Sequence, residues 1–424
     1  MSLIINKDRI KFLVFLIPVV NSIANVFLDR ITLGSIHIGH FRAIYIVLVL
    51  IIYFSHFHKR AFTSIDKLIF VMLFYMIMLL PISSNISYSV EVFSKFFMAS
   101  IVFIPFYHLI DSRSDVRAVS VMFILAVGVV LIDLLHSNIM GIGTQYYDRG
   151  EDALYWGRHK VNIAKYFIFT LFVLPLIFLY IKNKRWKYTG LLVLIVAFIL
   201  SLLGMKRSAF LSIIIGFPLL MVLLPKNKIW FRSIIVVLLL YLVFFPIIEP
   251  QFEKRFEARG ESMTIEGVQE EPRMSEVYFI TSYIFDGNIR KFFIGTEIFN
   301  DRNYYGRGRM LHTDYMIMLS GTGVIGLSLY LLVSVFLLRT GLSYRFSQGI
   351  YDYRKFISSF LVVIVVSQLI ISLSGLTNAI NPRGAFMMIA ATYIAILYKN
   401  INPFQDNSTL HPKKNINEEG GHFG

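Results

Sequence analysis

The 424-residue chain contains no cysteine. Thiol catalysis and thiolate metal sites are therefore excluded, and any long outward-facing loop has no disulfides. Charge is scarce as well. Lys, Arg, Asp and Glu make up 16% of the residues, against about 25% in an ordinary soluble domain. No Asp-x-Asp and no His-x-x-x-His occurs, so no spacing suggests a metal site, and a metal-held nucleotide-sugar donor is disfavoured. No phosphate-binding G-x-x-x-x-G-K-[ST] loop is present, which speaks against ATP-driven transport by this chain alone.

What the chain does have is apolar length. Hydrophobic residues account for 56% and aromatics for 15%, and the mean hydropathy is +0.66. A helix needs about 20 apolar residues to cross a bilayer. Twelve runs meet or approach that: 10–28, 40–54, 66–83, 92–110, 117–135, 162–181, 188–204, 209–224, 230–248, 318–338, 356–374 and 384–399. The expected fold is an all-α integral membrane protein with about twelve transmembrane helices. Residues 1–249 would carry helices one to nine, and 250–314 a large loop. Residues 315–401 would carry helices ten to twelve, and 402–424 a polar, disordered tail. The first run has Lys7, Arg9 and Lys11 around its start and no small-x-small cleavage site after it, so it reads as a retained anchor.

Basic residues in short loops set the orientation. Clusters at 7–11, 59–67, 113–117, 182–187, 226–232, 339–355 and 399–414 all fall on one side if there are twelve spans. Both termini are then cytoplasmic. The opposite face receives the loop 136–161, the short turn Gly204-Met205-Lys206-Arg207-Ser208 and the loop 250–314. The net charge of +15 is not all explained by that rule. Lys206, Arg207 and Arg383 sit in short outer connections, where the rule disfavours them. An anionic ligand at the outer leaflet, most simply a phosphate or pyrophosphate, gives them a reason. Snorkelling to lipid headgroups is the alternative for any one of them.

The long loop has internal organisation. Met274, Val277, Tyr278, Thr281 and Ile284 recur at helical spacing, so 272–285 reads as an amphipathic helix lying on the bundle, with Arg273 in its first turn. Asp286-Gly287-Asn288 reads as a turn. Gly295 closes Phe292-Phe293-Ile294-Gly295 where backbone must come close. Tyr304 and Tyr305 stand beside Gly306 and Gly308, a combination that suits sugar rings or a lipid interface. Arg307, Arg309, His312 and Asp314 then lead into the tenth span. Ionisable groups near lipid usually have partners and a job. Gly321-Thr-Gly-Val-Ile-Gly326 matches the spacing G-x-G-x-x-G but opens a membrane span with no strand before it, so it reads as close helix packing.

Three of these pieces resemble the bacterial O-antigen polymerase and ligase superfamily. The turn Leu202-Leu203-Gly204-Met205-Lys206-Arg207-Ser208-Ala209 is similar to that family's basic turn between two central spans. Arg273, its helix and Phe293-Ile294-Gly295-Thr296-Glu297 resemble the family's Arg, helix and Gly-x-Gly order, with Gly-Thr-Glu here instead. His312-Thr313-Asp314-Tyr315 ahead of Gly321–Leu327 is similar to the family's His-x-Asp-Tyr motif. The likeness covers about 190–340; the first half matches only as a hydrophobic profile.

The resemblance implies a GT-C-like membrane glycosyltransferase at the periplasmic face of the inner membrane, without cofactor or metal. Its partners would be an undecaprenyl-diphosphate-linked oligosaccharide, membrane lipids and a chain-length regulator protein, with no nucleic acid. Arg207 and Arg273 are the candidate pyrophosphate clamp, with Lys206, Arg307 and Arg309 as helpers and Tyr304 and Tyr305 for the glycan. His312 is the candidate base, since neutral imidazole suits proton removal near pH 7. Asp314 would orient His312, bind the acceptor, or cap the helix that follows. His-Thr-Asp-Tyr resembles the polymerase branch more than the ligase branch. A polyprenyl-linked-oligosaccharide flippase is the reading from a different class.

Overall fold

A computed structural model describes residues 6–27, 32–33, 36–57, 61–141, 162–203, 207–224, 249, 272–300, 311–349, 351–375 and 379–404. Sixteen α-helices run through them. They are α1 Lys7–Phe15, α2 Ile17–Phe27, α3 Ile38–His56, α4 Ser64–Leu79, α5 Ile86–Ile101, α6 Phe103–Leu109, α7 Arg113–Met140 and α8 Asn162–Leu171. Then come α9 Leu174–Tyr180, α10 Lys184–Leu203, α11 Arg207–Leu223, α12 Pro272–Ile284, α13 Ile289–Ile294, α14 Asp314–Phe346, α15 Asp352–Ser372 and α16 Ile380–Tyr398. The sole β-structure among the described residues is an antiparallel pair, Thr32–Leu33 with Ile36–His37.

Local chemistry explains the boundaries. Thr63 and Asp66 form a reciprocal capping box at the start of α4, as Ser112 and Asp115 do for α7. Proline explains why three spans are stepped. Pro18, Pro105 and Pro175 sit in the opening turns of α2, α6 and α9. Each lacks the N–H that would continue the preceding helix, so the chain pauses and restarts. The joined pairs Lys7–Phe27, Ile86–Leu109 and Ile163–Tyr180 are still long and apolar enough to cross a membrane.

Among the described residues nine helices or joined pairs have the length and apolarity of a membrane span, and His40–His56 and Ser208–Leu223 are shorter apolar helices. These eleven fall on eleven of the twelve runs read from the sequence. The remaining run, 230–248, lies outside the described residues, as does most of 250–314. The long apolar helices fit a multi-pass membrane protein. Ile51, Phe74, Ile132, Leu135, Ile139 and Leu192 are more than half exposed on them. Such outward apolar surface would be a liability in water and is what lipid tails cover.

The centre of the bundle is α16, whose membrane-length window is entirely buried. Gly384, Ala385, Ala390, Ala391 and Ala395 line it, and small residues let helices approach closely in lipid. It packs against α2, α5, α6, α8 and α15. At one end of the bundle Lys7 and Lys399 both reach Asp111, each at 2.9 Å. Leu223, Arg345 and Ser359 meet at that end too, through hydrogen bonds to the Leu223 carbonyl. The other end carries His312.

The loop element that precedes α14 is locked into it. Gly323 has φ 64°, ψ −168°, which breaks α14 into two stretches. Gly295, at φ +79°, lies against the break; a Cβ there would stand 2.6 Å from the backbone of Gly321, Thr322 and Gly323. Only glycine fits both conformations. The opened carbonyls find new donors. Thr296 N–H donates to Ser320 O at 2.8 Å, and the Tyr75 hydroxyl to Thr322 O at 3.0 Å. A break inside a membrane helix persists when such partners satisfy it. The close approach expected at Gly295 and the packing role expected of Gly321–Gly326 are what the structure has. Asp286-Gly287-Asn288 is a turn, with Asn288 N–H bonded to the Asp286 carboxylate at 3.0 Å.

The helix expected at 272–285 is present as α12, with a different buried face. Val277 and Tyr278 are exposed, while Glu276, Ile280 and Ile284 are buried. The expected stripe holds at Ile284 and fails at Val277 and Tyr278; Glu276, which hydrophobicity alone does not select, is on the buried face because its carboxylate anchors the helix to the bundle.

Candidate functional site

The His312 end gathers segments far apart in sequence. Arg207 opens α11, and the next residue, Ser208, is fixed by a 2.6 Å hydrogen bond between its hydroxyl and that of Ser374. Ser374 and Gly375 follow the end of α15. Lys165, buried in α8, donates its ammonium to Ser374 O at 2.7 Å and to Gly375 O. Gly375 in turn abuts His312: a Cβ at Gly375 would lie 2.5 Å from the His312 carbonyl oxygen. The start of α11, which Arg207 opens, and the His312 backbone are thus joined through one short segment.

The helix of Arg273 joins the same point. Glu276, one turn after Arg273 in α12, is buried, and its Oε1 accepts from His312 N–H at 2.8 Å and Thr313 N–H at 3.1 Å. These are donors at the very start of α14, where a helix leaves its first N–H groups unpaired. A carboxylate there also meets the positive end of the helix dipole. Glu276 Oε2 lies 3.8 Å from His312 Nδ1, and the imidazole side chain is 45% exposed. A buried carboxylate therefore stands behind an accessible imidazole.

Asp314 takes a different course. The helix cap is Thr313, whose hydroxyl accepts from Met316 N–H at 3.3 Å; the capping role open to Asp314 belongs to its neighbour. Asp314 points inward and is fully buried, and its Oδ2 pairs with Arg383 Nη2 at 2.8 Å. Arg383 lies inside α16, with its guanidinium 4.3 Å from the Phe96 ring centre and 5.4 Å from that of Tyr330. Its charge is answered within the protein, so the external anion invoked for it from sequence is not required. The Tyr330 hydroxyl donates to Asp314 Oδ2 at 3.3 Å, and Gln368 Nε2 donates to that hydroxyl at 2.8 Å. Ser334 donates to Gln368 Oε1 at 2.9 Å. Phe96, Tyr330, Ser334, Gln368 and Arg383 line a small cavity between the helices.

A second basic position lies nearby. Arg42, near the start of α3, donates to Asn381 Oδ1 at 3.5 Å, and its Nε has no hydrogen-bond partner among the described residues. Asn381 Nδ2 donates to the Asn21 carbonyl at 3.4 Å.

Of the residues singled out from sequence, the structure brings His312 together with the helices that carry Arg207 and Arg273. It sets Asp314 apart, in the buried network with Arg383. Lys206, Tyr304, Tyr305, Arg307 and Arg309 lie outside the described residues. Sequence reading missed Glu276 and Lys165. Lys165 had a signal: a lone lysine within an apolar run. Glu276 had a weaker one, a single carboxylate on an otherwise apolar helical stretch. In comparison with known proteins, the chain matches no family model, and no curated protein shows significant similarity to it.

Proposed function

We propose that the protein is a surface-polysaccharide polymerase, a membrane glycosyltransferase that uses a polyprenyl-diphosphate-linked donor. In this reading the chain crosses a bacterial plasma membrane twelve times with both termini in the cytoplasm. The long loop and the His312 end then face the periplasm. The growing glycan is joined through its anomeric carbon to undecaprenyl diphosphate. The acceptor is a sugar hydroxyl on the next lipid-linked repeat. The hydroxyl oxygen bonds to the anomeric carbon, the bond from that carbon to the diphosphate oxygen breaks, and the hydroxyl proton passes to the imidazole of His312. Undecaprenyl diphosphate departs with the electron pair.

One observation carries the reading. Three segments with the family-like motifs, the Arg207 turn, the Arg273 helix and the His312 strand of loop, meet at one end of the bundle through Ser208–Ser374, Gly375–His312 and Glu276–His312 contacts. Guanidinium groups on the first two segments suit the diphosphate, because their planar forks match its oxygens. Stabilising charge on a good leaving group supplies the electrostatic part of catalysis. Tyr304 and Tyr305 are the proposed glycan contacts, with Lys206, Arg307 and Arg309 as further diphosphate ligands. Asp314 acts indirectly, by holding Arg383 and the first turn of α14.

A specific feature favours a second reading. The break at Gly323 makes α14 discontinuous, and transporters build binding sites from discontinuous helices near the midplane. Purified protein given one synthetic polyprenyl-diphosphate repeat unit, without ATP, metal or lipid A-core, separates the possibilities. The polymerase makes a ladder of longer lipid-linked glycans. Transfer only after lipid A-core is added identifies a ligase. No transfer to either acceptor across several repeat structures overturns the enzyme reading and leaves the flippase.

A further inference from the structure

The most informative unassigned group at this end of the molecule is Glu276. Its side chain is 2% exposed, and a buried carboxylate needs strong partners. Oε1 has them in His312 N–H, Thr313 N–H and the Thr313 hydroxyl, the last at 3.4 Å. Those bonds tie a helix of the long loop to the start of α14. They leave Oε2 turned toward the ring of His312, 3.8 Å from Nδ1. That separation is longer than a hydrogen bond, and catalytic pairs commonly tighten once the productive complex forms.

We propose that Glu276 is the positioning residue of His312, fixing the tautomer in which Nδ1 carries the proton and Nε2 is the basic nitrogen. A carboxylate only accepts hydrogen bonds. Facing Nδ1, it selects the Nδ1–H form, which puts the basic lone pair on Nε2. When Nε2 takes the acceptor hydroxyl proton, the same carboxylate stabilises the imidazolium. The arrangement resembles in logic any nucleophile–base–orienter set, where a third group aligns the base. It has a further consequence. Arg273 and Glu276 lie one turn apart on α12, so seating Glu276 against His312 also seats the helix of the proposed diphosphate ligand. Base and clamp are then brought into register by one buried contact. This inference rests on the transferase reading for what the base acts on, but the tautomer itself does not depend on it.

The test has two independent readouts. The first is nitrogen NMR of protein labelled with 15N-histidine, in detergent or nanodiscs, with the His312 signal identified by its loss in His312→Gln. The wild type is expected to show the Nδ1–H tautomer. A wild type with predominantly Nε2–H overturns the proposal without any change at Glu276. The second is Glu276→Gln. The amide oxygen can still accept from His312 and Thr313 N–H, so the α14 start is retained, while the amide NH2 now faces Nδ1. The variant is expected to invert the tautomer and to lower kcat by about 10²–10⁴-fold, the range general-base catalysis supplies, with KM for the lipid-linked unit little changed. Glu276→Asp, which keeps the charge, is expected to restore part of the rate. Wild-type tautomer and wild-type kcat in Glu276→Gln would reduce Glu276 to a helix cap and overturn the proposal. If the tautomer inverts as expected but the wild type transfers nothing, the transferase reading fails while the positioning of His312 stands.

Discussion

Among the described residues, the two ends of the bundle handle charge differently. At the Lys399 end, cations are spread over many short contacts at the periphery. Lys7 and Lys399 share Asp111, Lys11 pairs with Asp115 at 2.7 Å, and Lys399 also donates to the carbonyls of Tyr107, His108 and Ile110. Arg345 and Arg354 donate to the backbone oxygens of Leu223 and Leu397. At the His312 end, several of the described ionisable groups are sunk into the protein. Glu276, Asp314, Lys165 and Arg383 are all buried, while the His312 ring is open. The first pattern is that of a membrane protein's basic rim. The second resembles a prepared site, where buried groups hold an accessible one. Burial alone does not separate the ends, since Asp66 and His108 form a buried 2.9 Å pair at the Lys399 end; what sets the His312 end apart is an open imidazole backed by buried groups.

Cutting the buried Asp314–Arg383 pair should do the most damage at the His312 end. Arg383→Ala leaves the Asp314 carboxylate without its cation, and removing one partner of a buried pair costs about 3–5 kcal/mol. The expected result is a large fall in Tm in detergent. Replacing both residues with apolar ones of similar size should recover much of the loss. A Tm unchanged in Arg383→Ala would mean that the pair does not hold α14 to α16.

The next largest effect concerns the lock at the break. At Gly323 a Cβ would stand 2.4 Å from the Phe293 backbone, at a positive φ. Gly323→Ala is expected to destabilise by about 1–3 kcal/mol, as overpacking does, and to release the loop. Limited proteolysis around 285–300 reads this directly: faster cleavage is the expected outcome, and an unchanged rate would refute the lock. Smaller still, Thr313→Ala removes the cap of α14 and should cost about 1 kcal/mol. Ser112→Ala does the same for α7 at the opposite end, so the pair of variants compares the ends directly. Only the first is expected to lower activity beyond its effect on stability.

The smallest effect is the pH response of Asp111, in the connection between α6 and α7. Burial works against its ionisation, but hydrogen bonds from Lys399 and Lys7 outweigh that and hold its pKa at about 2. A free aspartate titrates near about 3.9. Its contribution is therefore complete above about pH 4 and is lost as pH falls through about 2. Asp111→Asn should remove that acid-side component and leave the stability profile above it parallel to wild type, measured as Tm against pH.

Much of the architecture was legible because hydrophobic length is a one-dimensional signal. Eleven of the twelve runs read from sequence coincide with described helices, and the glycines at 295 and 321–326 announced a close backbone approach. The buried polar contacts were not legible, for physical reasons. Glu276 reaches His312 across 36 positions and Arg383 reaches Asp314 across 69, and no local period encodes such pairing. The stripe on α12 was right at Ile284 but wrong at Val277 and Tyr278 for the same reason, since an anchoring carboxylate counts as polar in any hydrophobic pattern. Arg383 seemed to need an external anion because its carboxylate lies on another helix. His312 and the helices of Arg207 and Arg273 stood out because they combine basic residues with membrane edges, and the structure gathers those segments at one end.

The proposed chemistry has this end transfer a glycan with His312 as base and Arg207 on the diphosphate. The most direct measurement is in vitro transfer from a synthetic polyprenyl-diphosphate repeat by His312→Ala and Arg207→Ala, with membrane insertion checked in parallel. Both variants are expected to insert normally, with transfer abolished in each. Wild-type transfer by both would contradict that chemistry.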